Sequence, residues 1–144
     1  MVQIIIINGP NLNLLGVRQP EIYGTTSFDV YFIHLEKLFP DVNLHYYQSN
    51  HEGDIIDKLQ KVGFSYDGIV LNAGGFTHTS ISIADTLLAI TTPVVEVHLT
   101  NIYEREAYRR VNYIKDTAVK SIIGQGLDGY KQAIEFLTST LQTR

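Results

Sequence analysis

A glutamate and a histidine stand two positions apart, as Glu96 and His98, at the end of an apolar run. Residues i and i+2 of a β-strand point to the same face of a sheet, so these two side chains lie together on the predicted strand. A carboxylate beside an imidazole selects the ring nitrogen that carries the proton and makes the ring more basic. The spacing predicts acid–base chemistry, and the alternative is a histidine at a strand end that only satisfies a local carboxylate.

The segment of residues 8–24 carries a second candidate pair, Arg18 and Tyr23. It begins where the apolar run of residues 2–7 stops, and it is much longer than the two to six residues that are usual between a strand and a helix. Its leucines and isoleucine have apolar surface to bury, which argues against disorder. We therefore predict a lid over a functional site.

A tyrosine side chain has a reference pKa of about 10, so a tyrosine that acts as a base near pH 7 needs about 4 kcal/mol of stabilisation of its phenolate. The obvious source in this segment is Arg18. A guanidinium keeps its charge, and it favours the anion when both groups are packed in a site with little water. The alternative is a solvated arginine and a tyrosine ring that only packs.

A third candidate is the run of residues 72–80, which combines two glycines with polar side chains. Gly74 and Gly75 allow close approach to the backbone, and Asn72 and His78 stand on either side of them. The alternative is an ordinary capped turn, but capping does not account for the asparagine and the histidine. Because catalytic residues concentrate in loops on a rigid scaffold, we predict a functional loop.

The elements that must position these residues are short β-branched runs, which alternate along the chain with amphipathic stretches. Strands are predicted over residues 2–7, 42–47, 68–71, 94–97 and 118–123. Helices are predicted over residues 28–39, 54–62, 80–89 and 130–141, with a turn or two over residues 103–110 and an N-cap at Thr79 or Ser80. The alternation predicts right-handed crossovers and a mostly parallel sheet with helices on both faces. We predict an α/β, flavodoxin-like three-layer sandwich with a five-stranded parallel sheet, formed by residues 1–144 as a single domain.

The ligand crevice of an open α/β sheet lies outside the carboxyl ends of its strands. The first predicted strand ends at Asn8, the third runs into the loop of residues 72–80, and the fourth runs into residues 96–101. Three polar loops are therefore expected to meet at one rim of the sheet. This rim is the predicted site.

The composition argues against several classes of function. The net charge is −4 and the eleven Lys and Arg residues are spread along the chain, so no nucleic-acid partner is expected. There is no cysteine for a disulfide, an Fe–S cluster or a thiolate zinc site, which fits a reducing compartment. No apolar run reaches the roughly 20 residues of a membrane span, and residues 8–10 interrupt the N-terminal run too early for a signal peptide. We expect a soluble, cytoplasmic protein that does not bind membranes.

Three other chemistries have weak support in the sequence. The glycine pattern of residues 124–129 follows the last strand, whereas a dinucleotide-binding pattern follows the first strand of a βαβ unit, so a tight turn is predicted. His78 and His98 have no third imidazole or thiolate at ligand spacing, so no metal site is expected. The lysines lie outside the three loops, so no Schiff-base nucleophile is expected.

A flavodoxin-like module that binds a flavin or accepts a phosphate is the alternative function. A phosphate receiver needs acidic residues at the end of the first strand, where this chain has Asn8. A flavin phosphate site would be expected there as a turn rich in hydroxyl groups. The sequence therefore favours an enzyme over a binding module.

The three loops together resemble those of the type II 3-dehydroquinate dehydratases, which convert 3-dehydroquinate to 3-dehydroshikimate on a flavodoxin-like fold. The resemblance spans nearly the whole chain. It rests on residues 8–24, 72–75, 77–80 and 96–101, and on Arg105 and Arg109 beyond them. It implies an enzyme with no metal and no organic cofactor, and an elimination of water with anti stereochemistry.

The resemblance also implies a role for each matching residue of the acid–base machinery. Tyr23 would be the base that removes a proton from the carbon beside the substrate ketone, and Arg18 would keep it ionised. Asn11 would hold a water that stabilises the enolate oxygen. His98, oriented by Glu96, would protonate the departing hydroxyl as the general acid.

Other matching residues would bind the substrate, 3-dehydroquinate. The resemblance implies that Leu99 and Thr100 bind its carboxylate. It also implies that Asn72, His78 and Arg109 reach the hydroxyl groups of its ring.

The remaining matching residues concern access and assembly. Gly74 and Gly75 would admit the substrate close to the backbone, and Arg105 would belong to the lid, which closes to exclude water. Asp85 would face the site of a neighbouring subunit, because the family assembles trimers into a dodecamer. A homo-oligomer is therefore expected.

The chain departs from the family pattern at two places. Val111, Asn112 and Tyr113 stand where a polar residue, a serine and a tyrosine are commoner, and Lys120 stands where glycine is often found. Neither departure is expected to touch a proposed catalytic group. We expect their effects in local packing and in subunit contacts.

Overall fold

The computed structural model describes residues 1–142, which form a central sheet of five strands. The strands are β1 Val2–Asn8, β2 Val42–Gln48, β3 Gly68–Asn72, β4 Val94–His98 and β5 Lys120–Ile123. Their order is β2-β1-β3-β4-β5 and every neighbouring pair is parallel. This is the flavodoxin-like order, so the predicted fold class is confirmed.

Helices cover both faces of the sheet. They are α1 Pro20–Tyr23, α2 Phe28–Leu38, α3 Glu52–Val62, α4 Ile81–Ala89 and α5 Asp128–Gln142. Side chains alternate along β1, so Ile4 and Ile6 pack under α2 and α5, while Ile5 and Ile7 pack under α3 and α4. Both faces of β1 are therefore shielded from water, which explains the unbroken apolar run at residues 4–7.

Several predicted boundaries move by a few residues. Ser80 is the N-cap of α4, because its hydroxyl accepts from the amide of Ile83 at 2.9 Å. The last strand is shorter than predicted and begins at Lys120. Residues 124–127 form the predicted tight turn into α5, and Gly124 and Gly126 have φ angles of +79° and +59°, which favour glycine.

The predicted lid, residues 8–24, contains a 3₁₀ helix, Leu12–Leu14, as well as α1. Leu12 and Leu15 are buried in the core, as their apolar side chains require. The amide of Asn11, which has a left-handed φ of 69°, donates to Oδ1 of Asn50 at 3.0 Å. The start of this segment is thus anchored to the loop that follows β2.

The segment predicted to hold a turn or two, residues 103–110, consists of two 3₁₀ helices, Ile102–Glu104 and Ala107–Arg109. It connects β4 to the residues before β5 and lies at the carboxyl edge of the sheet. Across residues 1–142, no helix has the length and apolarity to cross a membrane.

Candidate active site

A cavity of about 140 Å³ lies at the carboxyl edge of the sheet, where the loops after β1, β3 and β4 meet. Most of the predicted site residues line it. They are Asn11, Arg18, Tyr23, Asn72, Gly74, Gly75, His78, His98, Leu99, Thr100, Arg105 and Arg109. Pro10, Leu12 and Ile102 complete the lining, and sequence reasoning did not single them out. The one signal in the sequence that could have indicated Leu12 is that it is an apolar residue between two asparagines in the loop after β1.

Glu96 and His98 form a buried pair in this wall. Nε2 of His98 donates to Oε2 of Glu96 over 2.8 Å, and the two residues are only 4% and 1% exposed. Glu96 lies behind the histidine rather than in the cavity lining. With Nε2 engaged by the carboxylate, Nδ1 is the ring nitrogen that can serve the cavity.

The carboxylate of Glu96 is kept ionised by its hydrogen bonds. Burial alone would raise its pKa, but hydrogen bonds from His98, Ser121 and Asn112, with the attraction of the His98 charge, lower the pKa below its usual value. Ser121 donates to Oε1 at 2.6 Å. The pair is therefore built to hold negative charge on the side of the imidazole away from the cavity.

Tyr23 is held between two arginines. The guanidinium carbon of Arg18 lies 4.8 Å from the centre of the Tyr23 ring, which is a cation–π distance. Nη1 of Arg105 donates to the Tyr23 hydroxyl at 2.5 Å. Arg18 thus packs against the phenol as predicted from the sequence, but the direct contact with the hydroxyl oxygen comes from Arg105.

Asn72 is fixed by a buried network that the sequence did not indicate. Its Nδ2 donates to the hydroxyl of Tyr130 at 2.9 Å, and that hydroxyl donates to Oδ1 of Asn8 at 2.8 Å. Its Oδ1 accepts from the amide of Gly74 at 3.2 Å. Tyr130 is fully buried, and burial raises the pKa of its hydroxyl. In the sequence this residue has the pattern of a core aromatic on the last helix.

His78 and Arg109 occupy the opposite part of the lining. Nδ1 of His78 donates to the carbonyl of Val111 at 2.6 Å, and burial lowers the pKa of the imidazole. Nε of Arg109 donates to Oε2 of Glu106 at 2.6 Å. His78 is therefore a neutral ring at pH 7, whereas Arg109 carries a full positive charge.

Two glycines of this wall differ in what they allow. Gly74 has a φ of +59°, and a Cβ there would lie 3.1 Å from the carbonyl oxygen of Pro10, so it lets two loops approach. A Cβ on Gly75 would have no heavy atom within 4 Å. The close approach of the Pro10 loop thus explains why a glycine stands at position 74, but no such contact explains the glycine at position 75.

The model of the family described as dehydroquinase class II matches residues 2–138, which is most of the chain. The chain belongs to the class II dehydroquinase family. It is 45% identical to a 3-dehydroquinate dehydratase of Prochlorococcus marinus (strain MIT 9301), over 100% of this chain and 99% of that one. It is 46% identical to a catabolic 3-dehydroquinase of Aspergillus clavatus, over 98% of this chain and 95% of that one.

Solved structures agree with this membership. The crystal structure of a type II dehydroquinase from Butyrivibrio crossotus DSM 2876 has a TM-score of 0.91 and 40% identity, covering 95% of this chain and 97% of that one. The chain is thus an enzyme of the dehydratase class, a lyase. The alternative of a flavin-binding or phosphate-accepting module has no support from this dehydroquinase membership.

Two expectations concerned residues near the dehydroquinase cavity. Asp85 is exposed on α4 and does not line the cavity. The departure at residues 111–113 was expected not to touch a proposed catalytic group, and this is wrong. Nδ2 of Asn112 donates to both carboxylate oxygens of Glu96, at 3.2 and 2.9 Å. Glu96 and Asn112 are 16 positions apart, and their contact depends on how the loop after β4 folds, so the sequence pattern did not predict it.

Neither a metal ligand set nor a lysine is found at the cavity within the described residues. No three His, Asp or Glu side chains of residues 1–142 lie close enough together to hold a metal ion. Among these residues the lining contains no lysine either. A reaction without metal or imine remains a prediction, and the experiments below test it.

Proposed function

We propose that the chain removes water from 3-dehydroquinate to give 3-dehydroshikimate, with no metal and no organic cofactor. The observation that carries the proposal is that Tyr23 and His98 line one cavity, each beside a group of the charge that its role needs. The tyrosine hydroxyl has a cation beside it, and the imidazole has a carboxylate beside it. One cavity thus holds a candidate base and a candidate acid, which an elimination of water requires.

Tyr23 is the base in this mechanism. It takes the proton from the carbon beside the substrate ketone, and the electron pair of that C–H bond moves onto the ketone oxygen as an enolate. Arg105 at the hydroxyl and Arg18 over the ring favour the ionised tyrosine, because both carry a permanent positive charge. Asn11 holds a water against the enolate oxygen, where negative charge develops.

His98 is the acid. The enolate collapses to the ketone, a carbon–carbon double bond forms, and the bond to the leaving hydroxyl breaks while His98 delivers its proton, so water departs. Glu96 at Nε2 stabilises the charged imidazole before this transfer. The proposed elimination is anti, with base and acid on opposite faces of the substrate ring.

The substrate is held by both ends. The proposed site for its carboxylate is at Leu99 and Thr100, just after β4, and its ring hydroxyls reach Asn72, His78 and Arg109. These residues line the cavity, and the network through Tyr130 keeps the Asn72 amide in place. The proposed location is the cytoplasm, because a chain without cysteine is suited to a reducing compartment.

We propose that a second copy of the chain covers the exposed face of α4. Ile81 and Leu88 are 59% and 71% exposed, and Asp85 lies between them at helical spacing. Large apolar side chains grouped on a surface mark interaction sites. The trimers and the dodecamer implied by the family resemblance supply the partner. Light scattering that finds a monomer across the working concentration range contradicts this part of the proposal.

Replacing Tyr23 with phenylalanine tests the proposed base, because the change removes only the hydroxyl. General acid–base groups typically contribute 10²- to 10⁴-fold, so we expect kcat on 3-dehydroquinate to fall by roughly that factor. Tyr108→Phe is the matched control, since that ring is 64% exposed, and it keeps wild-type turnover. Near-wild-type turnover by Tyr23→Phe refutes the assigned role.

A further inference from the structure

We propose that Asn112 is a positioning residue, which fixes the carboxylate of Glu96 and, through it, the imidazole of His98. It also ties this pair to the segment that carries Arg105 and Arg109. The kinetic part of the inference rests on the proposed function, whereas its structural part does not. Asn112 is the departure from the family pattern noted in the sequence.

The orientation of the Asn112 amide is determined from both sides. Oδ1 accepts from the backbone amides of Ile114 at 2.8 Å and Lys115 at 3.1 Å. An amide oxygen that is occupied in this way leaves the NH₂ group to face the carboxylate, and Nδ2 lies 2.9 Å from Oε2 of Glu96. Asn112 is 9% exposed, so water has little access to this contact.

The same NH₂ group reaches the next segment. Nδ2 lies 3.4 Å from the hydroxyl of Tyr103, in the 3₁₀ helix just before Arg105. Val111, next to Asn112, accepts the Nδ1 proton of His78 through its carbonyl. Asn112 therefore contacts both the acid pair and the 3₁₀ helix that precedes Arg105, while its neighbour Val111 holds His78.

A buried carboxylate is costly unless its oxygens accept hydrogen bonds. Glu96 accepts from three residues: from His98 on its own strand, from Ser121 on β5 and from Asn112. Ser121 has one proton to give, so Asn112, with two N–H groups, is the larger neutral donor. Without Asn112, Oε2 would accept from His98 alone and Oε1 from Ser121 alone, so the carboxylate would be held less firmly in its orientation.

Charged and titratable groups around Glu96 bear on how it responds to pH. His98 lies on the same strand, Tyr103 faces it across Asn112, and His78 senses its charge from the 3₁₀ helix Gly74–His78. The positive charge of Arg109 also acts on His78. Apart from His98, none of these groups donates to Oε1 or Oε2, and none takes the place of the Asn112 donor, so the effect of Asn112 can be separated from theirs.

Two substitutions separate this positioning role from a role in the local turn. Asn112→Asp keeps the Oδ1 acceptor for the amides of Ile114 and Lys115 but places a second carboxylate against Glu96. Asn112→Ser also keeps a short acceptor for the turn and retains one proton. If the residue matters only for the turn, both variants behave as wild type.

The first readout is the titration of the Glu96 carboxyl carbon by NMR, which needs no substrate. We expect the pKa of Glu96 to rise above its wild-type value in Asn112→Asp, because a like charge and a lost donor both disfavour the anion. A smaller rise is expected in Asn112→Ser. An unchanged titration in both folded variants overturns the inference. If Asn112→Asp does not fold, the Ser variant decides on the same criterion.

The second readout is the pH profile of kcat on 3-dehydroquinate. Because the ionised Glu96 is the active form, the acidic limb of the profile moves to higher pH in Asn112→Asp, and kcat at neutral pH falls about tenfold or more with KM nearly constant. A rise in KM as large as the fall in kcat, together with an acidic limb that does not move, overturns the inference. Failure of the wild type to turn over 3-dehydroquinate refutes the proposed function instead, and the NMR titration then decides on Asn112.

Discussion

Arg105→Ala removes the guanidinium that donates to the hydroxyl of Tyr23 over 2.5 Å, and it leaves Arg18 in place over the ring. Arg105 makes a hydrogen bond to the hydroxyl as well as a ring contact at 5.4 Å, whereas Arg18 makes a ring contact alone. A hydrogen bond to a charged group contributes about 1.5–3 kcal/mol, whereas a cation–π contact contributes about 0.5–2 kcal/mol. We therefore expect Arg105 to matter more than Arg18, although the sequence alone gave the role to Arg18.

The magnitude follows from the rate equation, in which each 1.36 kcal/mol is a factor of ten. Arg105→Ala should lower kcat/KM at pH 7 by roughly 10- to 150-fold, and Arg18→Ala by roughly 2- to 30-fold. Arg105→Lys keeps the charge but loses the planar group, so its kcat/KM should lie between the values of wild type and Arg105→Ala.

The assay is the steady-state dehydration of 3-dehydroquinate at pH 7, with thermal unfolding as a check that each variant is folded. Arg110→Ala is the matched control, because Arg110 lies on the same segment, is exposed and does not line the cavity. It should retain wild-type rates. A folded Arg105→Ala enzyme with kcat/KM within threefold of wild type refutes the reasoning.

Two further predictions concern stability. Tyr130→Phe leaves Oδ1 of Asn8 and Nδ2 of Asn72 buried without their partner, which costs about 1–3 kcal/mol for each atom. The Tm should therefore fall by roughly 5–20 °C, and the KM should rise. Calorimetry beside the exposed control Tyr108→Phe checks this, and a Tm equal to that of the control argues against the network. Burial lowers the pKa of His78, so below about pH 6.5 the unfolded chain binds a proton that the folded chain resists, and stability falls as the pH drops. His78→Gln should therefore lose less Tm between pH 7.5 and 5 than wild type does, and an equal loss would count against this assignment.

The rim of the sheet was predictable because two simple regularities act together. Apolar runs such as residues 4–7 predict strands buried on both faces, and parallel strands bring their carboxyl ends to one edge. Polar residues that directly follow the runs, such as Asn72 and His98, must then lie at that edge. Their local spacing also predicted the contact between Glu96 and His98, since i and i+2 share a face.

Contacts that depend on how loops fold across the edge were not predictable. Arg105 and Tyr23 are 82 positions apart, and their contact is determined by where two 3₁₀ helices lie over the lid. Asn112 and Tyr130 are similar cases, because an asparagine in a loop and an aromatic residue on an amphipathic helix have common structural uses. Polar partners buried by tertiary packing leave no periodic signal in the sequence.

The central claim is that this chain dehydrates 3-dehydroquinate with its own side chains alone. The most direct test is to add 3-dehydroquinate to the purified protein in excess EDTA and to follow the ultraviolet absorbance of the conjugated enone, with a parallel sample treated with borohydride in the presence of substrate. We predict that the enone forms at the same rate with and without EDTA and that borohydride does not inactivate the enzyme. No enone from folded protein, loss of activity in EDTA, or inactivation by borohydride through a trapped imine would contradict the account.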